Sequence, residues 1–163
     1  MTNTSKKTSI WVFIVAFTLM FYGTGASFVE SFVNYPTWRL VGASEFVTFH
    51  RALGPLIIGY MVIPMIIGTI FTALLLWFRP APIPAWAVWV SLVLQLIVWV
   101  STAAIQIPIQ MQLSSDGLSL SAIDRLIVTN LWFRKVPQII NATLFLWLMW
   151  LMLKAKDGGP TKE

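Results

Sequence analysis

Few residues in this chain could do chemistry, and they gather in short segments. "EFVTFHRALGP", Glu45 to Pro55, holds the only histidine, His50, with Arg51 directly after it. "LWFRKVPQ", Leu131 to Gln138, holds Arg134, Lys135 and Gln138, and Asn130 stands just before it. Glu30 closes "GASFVE", and "QIPIQ" carries Gln106 and Gln110. An imidazole near guanidinium groups suits proton transfer without a cofactor. His50 would act as general acid or base. Arg51 or Arg134 would stabilise a developing oxyanion such as an enolate or phenolate. Glu30, Gln106, Gln110, Asn130 and Gln138 are then candidates to bind and orient a ligand. His50 also reads as an interfacial imidazole bonded to a backbone carbonyl or to Glu45.

Other chemistries are closed off by what is missing. With no cysteine there is no disulfide, thiolate metal site or cysteine nucleophile. A ferritin-like di-iron centre takes Glu-x-x-His pairs from facing helices, and a bis-histidine haem takes two imidazoles; one histidine supplies neither. No G-x-S-x-G, P-loop or dinucleotide-binding glycine pattern occurs. No cofactor and no metal are expected. The formal charge of +5 comes without an arginine-rich strip, so nucleic acid is not an expected partner.

The elements that position these residues follow from composition. The chain is 58% hydrophobic and 10% charged, with mean hydropathy +0.79, against about 25% charged in soluble domains. Four apolar runs, Ser9–Val29, Gly54–Trp77, Ala85–Ile107 and Val136–Leu153, each suffice to cross a hydrocarbon layer that needs about 20 residues. The first follows Lys6 and Lys7 as a signal peptide would. It lacks a clean small-x-small cleavage site and reads as a retained helix. The expected fold is all-α: a polytopic four-transmembrane-helix bundle, one domain over residues 1–163, with helices at about 9–30, 44–78, 85–110 and 121–154. It is built as two helical hairpins with helical extensions beyond the membrane on one side. Ser44 would cap the second helix, and Ser121 with Asp124 would form a capping box for the fourth. Pro55 and Pro137 would kink these helices where they meet lipid. The halves echo each other: "NYPTWRL" then "FHRALGPLII", and "QIPIQMQL" then "FRKVPQII". Lys6, Lys7, Arg79, Lys154, Lys156 and Lys162 lie on one side and Arg39, Arg51, Arg125, Arg134 and Lys135 on the other. The tail lysines favour cytoplasmic N- and C-termini in a bacterial inner membrane.

Polar residues inside the apolar runs need a partner or a cavity. Ser91, Gln95, Thr102, Gln106 and Gln110 fall within about 100° of one another at 100° per residue, and Trp99 shares that face. Asn130, Arg134, Gln138 and Asn141 form a second stripe on the fourth helix. Such stripes serve either as interhelical glue, at about 0.6 kcal/mol per hydrogen bond, or as a pocket lining. Gln95 and Asn141 read as glue. Glu30, Glu45, His50, Arg51, Gln106, Gln110 and Arg134 read as a polar pocket near one membrane surface.

"QIPIQMQL" and "FHRALGP" resemble the anthrone-oxygenase-like family of small four-helix integral membrane proteins. Gln106-Ile107-Pro108-Ile109-Gln110 stands where that family has Asn-x-Pro-x-Asn, and Arg134 stands at its arginine before the fourth helix. The family's histidine just before that arginine is absent; Asn130, Leu131 and Trp132 are there instead. The resemblance implies a pocket for a small lipophilic or aromatic molecule, with cofactor-free oxygenase-like or proton-transfer chemistry. The alternative is a non-catalytic membrane subunit or scaffold, with the bilayer and a second copy or a partner subunit as its only partners. A transporter is disfavoured, since four helices are few and no charge lies deep in the third or fourth run.

Overall fold

The structure, a computed structural model, describes residues 3–157, with side chains from Lys6 onward. Among the described residues there are four long helices and no strand. The first runs through Asn3–Val29, a π-helical turn at Glu30–Asn34, Tyr35–Thr37 and a closing 3-10 turn at Trp38–Leu40. The second comprises Ala43–Ile57, a π turn at Ile58–Val62 and Ile63–Leu74. The third comprises Ala85–Ser101, a π turn at Thr102–Gln106 and Ile107–Asp116. The fourth comprises Leu120–Asn130, a π turn at Leu131–Lys135 and Val136–Asp157. All four are long and apolar enough to cross a membrane.

Each π turn has the same cause. Pro36, Pro64, Pro108 and Pro137 each stand second after a π turn. A proline inside an α-helix lacks its N–H and its ring collides with the carbonyl four residues back. Widening the preceding turn relieves the collision. The residue before each proline donates instead to the carbonyl five back: Tyr35 to Glu30, Ile63 to Ile58, Ile107 to Thr102 and Val136 to Leu131. The expected kink at Pro137 is this π turn. Pro55, by contrast, sits inside regular α-helix, and the widened turn of the second helix lies at Pro64.

Several expected ends move. Gly42, not Ser44, is the N-cap of the second helix. Ser44 lies within the first turn, and its hydroxyl donates to Glu45 Oε2 at 2.7 Å. Ser119, not Ser121, caps the fourth, accepting from the Ala122 N–H at 3.3 Å, so the Ser121–Asp124 capping box does not form. Asp124 pairs with Arg39 across the first link. The first and third helices outrun their expected ends because their prolines are absorbed as π turns. The third stops at Gly117, whose φ of 91° is the left-handed geometry that terminates helices. The second stops at Leu74, short of 78, because backbone bonds tighten there ahead of Pro80.

Two apolar clusters hold the bundle. One joins Phe13, Ala16, Leu75, Ile83, Ala87, Val88, Phe145 and Leu148 beside the short 75–84 link. The other joins Tyr35, Trp38, Phe46, Ile109, Leu113, Ile123 and Leu126 at the opposite end. The polar residues lie between them. Trp11, Trp77, Trp86 and Trp150 are more than half exposed and ring the short-link end, where tryptophan marks an interface. About 20 residues of helix cross the hydrocarbon. Counting that far from each tryptophan arrives at or beside all four π turns, where the buried Glu30, Arg134 and Lys135 lie.

The first and second helices approach closely through small residues. A Cβ added at Gly68 would stand 3.1 Å from Leu19 Cβ and 3.5 Å from its carbonyl carbon, and one at Gly23 would strike Met65. Gly68→Leu is therefore expected to destabilise the protein by about 1–3 kcal/mol, the usual range for overpacking. A Cβ at Gly25 meets nothing within 4 Å, and Gly25→Leu serves as the control. Thermal denaturation in detergent reads the difference; equal melting of the two variants contradicts the close crossing.

Candidate functional site

A cavity of about 820 Å³ opens between the second and third helices, within the range of about 300–1,000 Å³ usual for small-molecule sites. Its floor is near Trp99, whose indole N–H donates to Thr69 Oγ1 at 3.0 Å and ties the two helices together. Its far end is closed by Arg51, whose Nε donates to the Ser114 carbonyl at 3.0 Å, and by His50. The walls are apolar: Leu53, Ile57, Met61, Met65, Ala103 and Met111 among others.

The polar candidates meet at this cavity. Glu30, His50, Arg51, Gln106, Gln110 and Arg134 all line it. The other two do not. Asn130 turns towards the first helix and donates to Ser31 Oγ. Gln138 lines a separate cavity of about 40 Å³ with Gln95 and Asn141. Glu45 also stays outside, held by Ser44.

His50 is 6% exposed and packed between aromatic rings, Trp38 edge-on at 4.9 Å and Phe46 stacked at 5.5 Å. Both ring nitrogens are engaged, neither by Glu45 nor by a backbone carbonyl. Nε2 stands 2.7 Å from Gln110 Oε1 and Nδ1 stands 2.9 Å from Ser114 Oγ. An amide oxygen only accepts, so Nε2 carries a proton and neutral His50 keeps its lone pair on Nδ1. The Gln110 amide nitrogen in turn donates to the Tyr35 hydroxyl at 3.4 Å. Ser114 Oγ also lies 3.0 Å from the Gln110 carbonyl, but with Nδ1 unprotonated its single proton goes to Nδ1. Nδ1 is thus the basic atom of the site, screened by one hydroxyl.

Arg134 and Lys135 are enclosed by the bundle, 4% and 1% exposed. Leu131, Trp132 and Phe133 of the same turn face outward. The Lys135 ammonium donates to the Ser27 carbonyl at 2.6 Å, to Ser27 Oγ and to Gln138 Oε1 at 3.3 Å. All three of its protons are used, and it staples the fourth helix to the first. Arg134 is less committed. One terminal nitrogen reaches Ser27 Oγ at 3.5 Å, and its buried Nε has no partner. Glu30, 4% exposed, accepts from Asn34 and makes no ion pair with either cation; Arg39–Asp124 is the only ion pair among the described residues. Gln106 Nε2 donates to Thr129 Oγ1 at 3.1 Å, leaving its buried Oε1 unpartnered. Sequence reasoning passed over Tyr35, Trp38 and Ser114. Tyr35 and Trp38 lie past a proline that promised a helix end, and Ser114 looked like part of a polar link. Among the described residues no group of three metal-ligating side chains occurs.

The chain matches no protein-family model, no curated protein and no solved structure.

With one histidine in the chain, a ¹⁵N-histidine NMR spectrum reports His50 alone. Neutral protein is expected to show the Nε2–H tautomer, and Gln110→Leu is expected to abolish that preference. A dominant Nδ1–H form in the wild type contradicts the bond to Gln110 Oε1.

Proposed function

We propose that the cavity between the second and third helices binds a small lipophilic or aromatic molecule, and that His50 exchanges a proton with it. The observation that carries this reading is the convergence of six polar candidates on one large, otherwise apolar cavity. Apolar walls with a few placed polar groups are the usual form of a small-molecule site. Nδ1 of His50 is the base. Arg134 and Arg51 stabilise the resulting enolate or phenolate, and Gln106 and Gln110 orient it. Such an anion is the species that reacts in cofactor-free oxygenation, which is the chemistry the family resemblance implies. Asn130 and Gln138 belong instead to the glue between helices, as the scaffold alternative holds for all the polar residues. Around the site we place two helical hairpins, first with second and third with fourth, extending beyond the membrane on the side away from the 75–84 link.

The test uses Gly54, which lines the cavity and has nothing within 4 Å of an added Cβ. Gly54→Trp is expected to fill the cavity while the protein still folds. Native mass spectrometry of detergent-extracted protein is expected to show a co-purifying small molecule on the wild type, tenfold or more depleted in Gly54→Trp. His50→Ala retains the molecule but not its turnover. If wild type and Gly54→Trp carry the same molecules, or none, the pocket reading fails and the scaffold reading takes its place.

The basic residues support N- and C-termini on the cytoplasmic side of a bacterial inner membrane. The chain has no cysteine, so single cysteines report topology cleanly. Pro82→Cys is expected to resist an impermeant maleimide in intact cells and Asp116→Cys to react; the opposite pattern inverts the orientation.

A further inference from the structure

We infer that the ligand is an amphiphile with one anionic oxygen head group, received from the bilayer through the opening between the second and third helices, with its head at Arg134 and Gln106; this rests on the pocket reading above. Three observations carry the inference. The first is charge. The polar end of the cavity encloses Arg134, which makes no ion pair with Glu30. Buried charges call for partners. Lys135 is saturated by Ser27 and Gln138. Arg134 is not, and a guanidinium presents a planar fork of donors suited to a carboxylate or enolate.

The second is the set of orphaned atoms. Trp38 Nε1, Arg134 Nε and Gln106 Oε1 are buried without a partner, on side chains 2%, 4% and 2% exposed that all line the cavity. Leaving such an atom unsatisfied is costly. Two are donors and one is an acceptor. A head group with an anionic oxygen and an adjacent hydroxyl answers both kinds.

The third is the shape of the opening. Ile58, Ile107 and Met111 line the cavity, yet are 56%, 48% and 66% exposed. They form a rim facing sideways, where the apolar exterior of the helices meets lipid. The helices are tied at Thr69–Trp99 and again at Arg51–Ser114. Roughly 22–27 Å of helix separates those ties at 1.5 Å per residue, enough for an extended acyl chain or a fused aromatic system.

The probes are myristate, myristyl alcohol and acetate, offered to the full chain in a neutral detergent. Myristate is expected to bind and raise the melting temperature. Acetate, a head without a tail, is expected to do neither; protection by acetate at equal concentration overturns the amphiphile assignment in favour of a free small anion. Arg134→Gln is expected to weaken myristate at least tenfold, about 1.4 kcal/mol, and to leave myristyl alcohol within twofold. Equal weakening of both probes overturns the head-group assignment while the lipophilic pocket stands. Binding of neither acid nor alcohol to the wild type counts against the pocket itself. Should Arg134→Gln fail to fold, wild-type protein answers with a tail-diazirine myristate. Crosslinks are expected within residues 53–65 and 99–111, and crosslinks confined to other segments overturn the lateral opening.

Discussion

Four prolines govern this bundle. A proline within a membrane helix removes a donor where no water replaces it and drives its ring against the carbonyl one turn back. Breaking the helix would expose backbone to lipid. Opening one turn to the i−5 pattern keeps each helix continuous, and all four do so in the same register. A π turn inserts one residue and so shifts the phase of everything beyond it by about 100°. On the third helix, whose straight-helix phase already keeps the polar residues within about 100°, the shift brings Gln110 over Ser91. On the fourth it turns Arg134 and Lys135 inward while Leu131, Trp132 and Phe133 stay outside. The polar interior is thus a consequence of how the backbone accommodates proline.

Enclosing those cations demands acceptors, and the first helix supplies them. Ser27 alone serves Lys135 twice, through carbonyl and hydroxyl, and also meets Gln138 and Arg134. A small hydroxyl side chain is needed there, because a larger one would displace the ammonium. The site side of Arg134 and the staple side of Lys135 are therefore one structure. Rigid scaffolding beneath a loosely satisfied guanidinium is the arrangement that pre-organised binding requires.

Much of this was legible in the residues. Apolar run length located the four helices, and periodicity located the inward stripe of the third. The convergence of His50, Arg51, Gln106, Gln110, Arg134 and Glu30 followed from their common position near one end of the runs. What failed did so for physical reasons. Pro36 and Pro108 look like exits in the sequence, because a proline more often ends a helix than widens one. The echoing segments pair Pro55 with Pro137, whereas the π turns match Pro64 to Pro137. Straight-helix phase groups Asn130 and Gln138 with Arg134; Gln138 and Arg134 do share Ser27, whereas the widened turn sends Asn130 to Ser31. Caps slipped by two residues because Gly42 and Ser119 can both start a helix from extended backbone.

Counting from the prolines explains why the cavity lies where it does. Arg134 stands three before Pro137, and the same place before Pro64 is Met61. Ser27 stands nine before Pro36, and its counterpart before Pro108 is Trp99. Glu30 answers to Thr102, and Gln138 to Met65. Between the fourth and first helices these positions carry charge and hydroxyl, and hydrogen bonds draw the helices shut. Between the second and third the same positions carry Met61, Met65 and Trp99, with no charge to bridge them, and the helices stand apart around the cavity. His50 also departs from the pattern. Its counterpart fourteen before Pro137 is Ile123, which is fully buried in the apolar cluster. Where the second repeat uses that position for packing, the first places a titratable ring at the closed end of the open gap. The polar and apolar halves of one repeated frame have thus been assigned different tasks: one gap is sealed by charge, and the other is left open with an imidazole at its closed end.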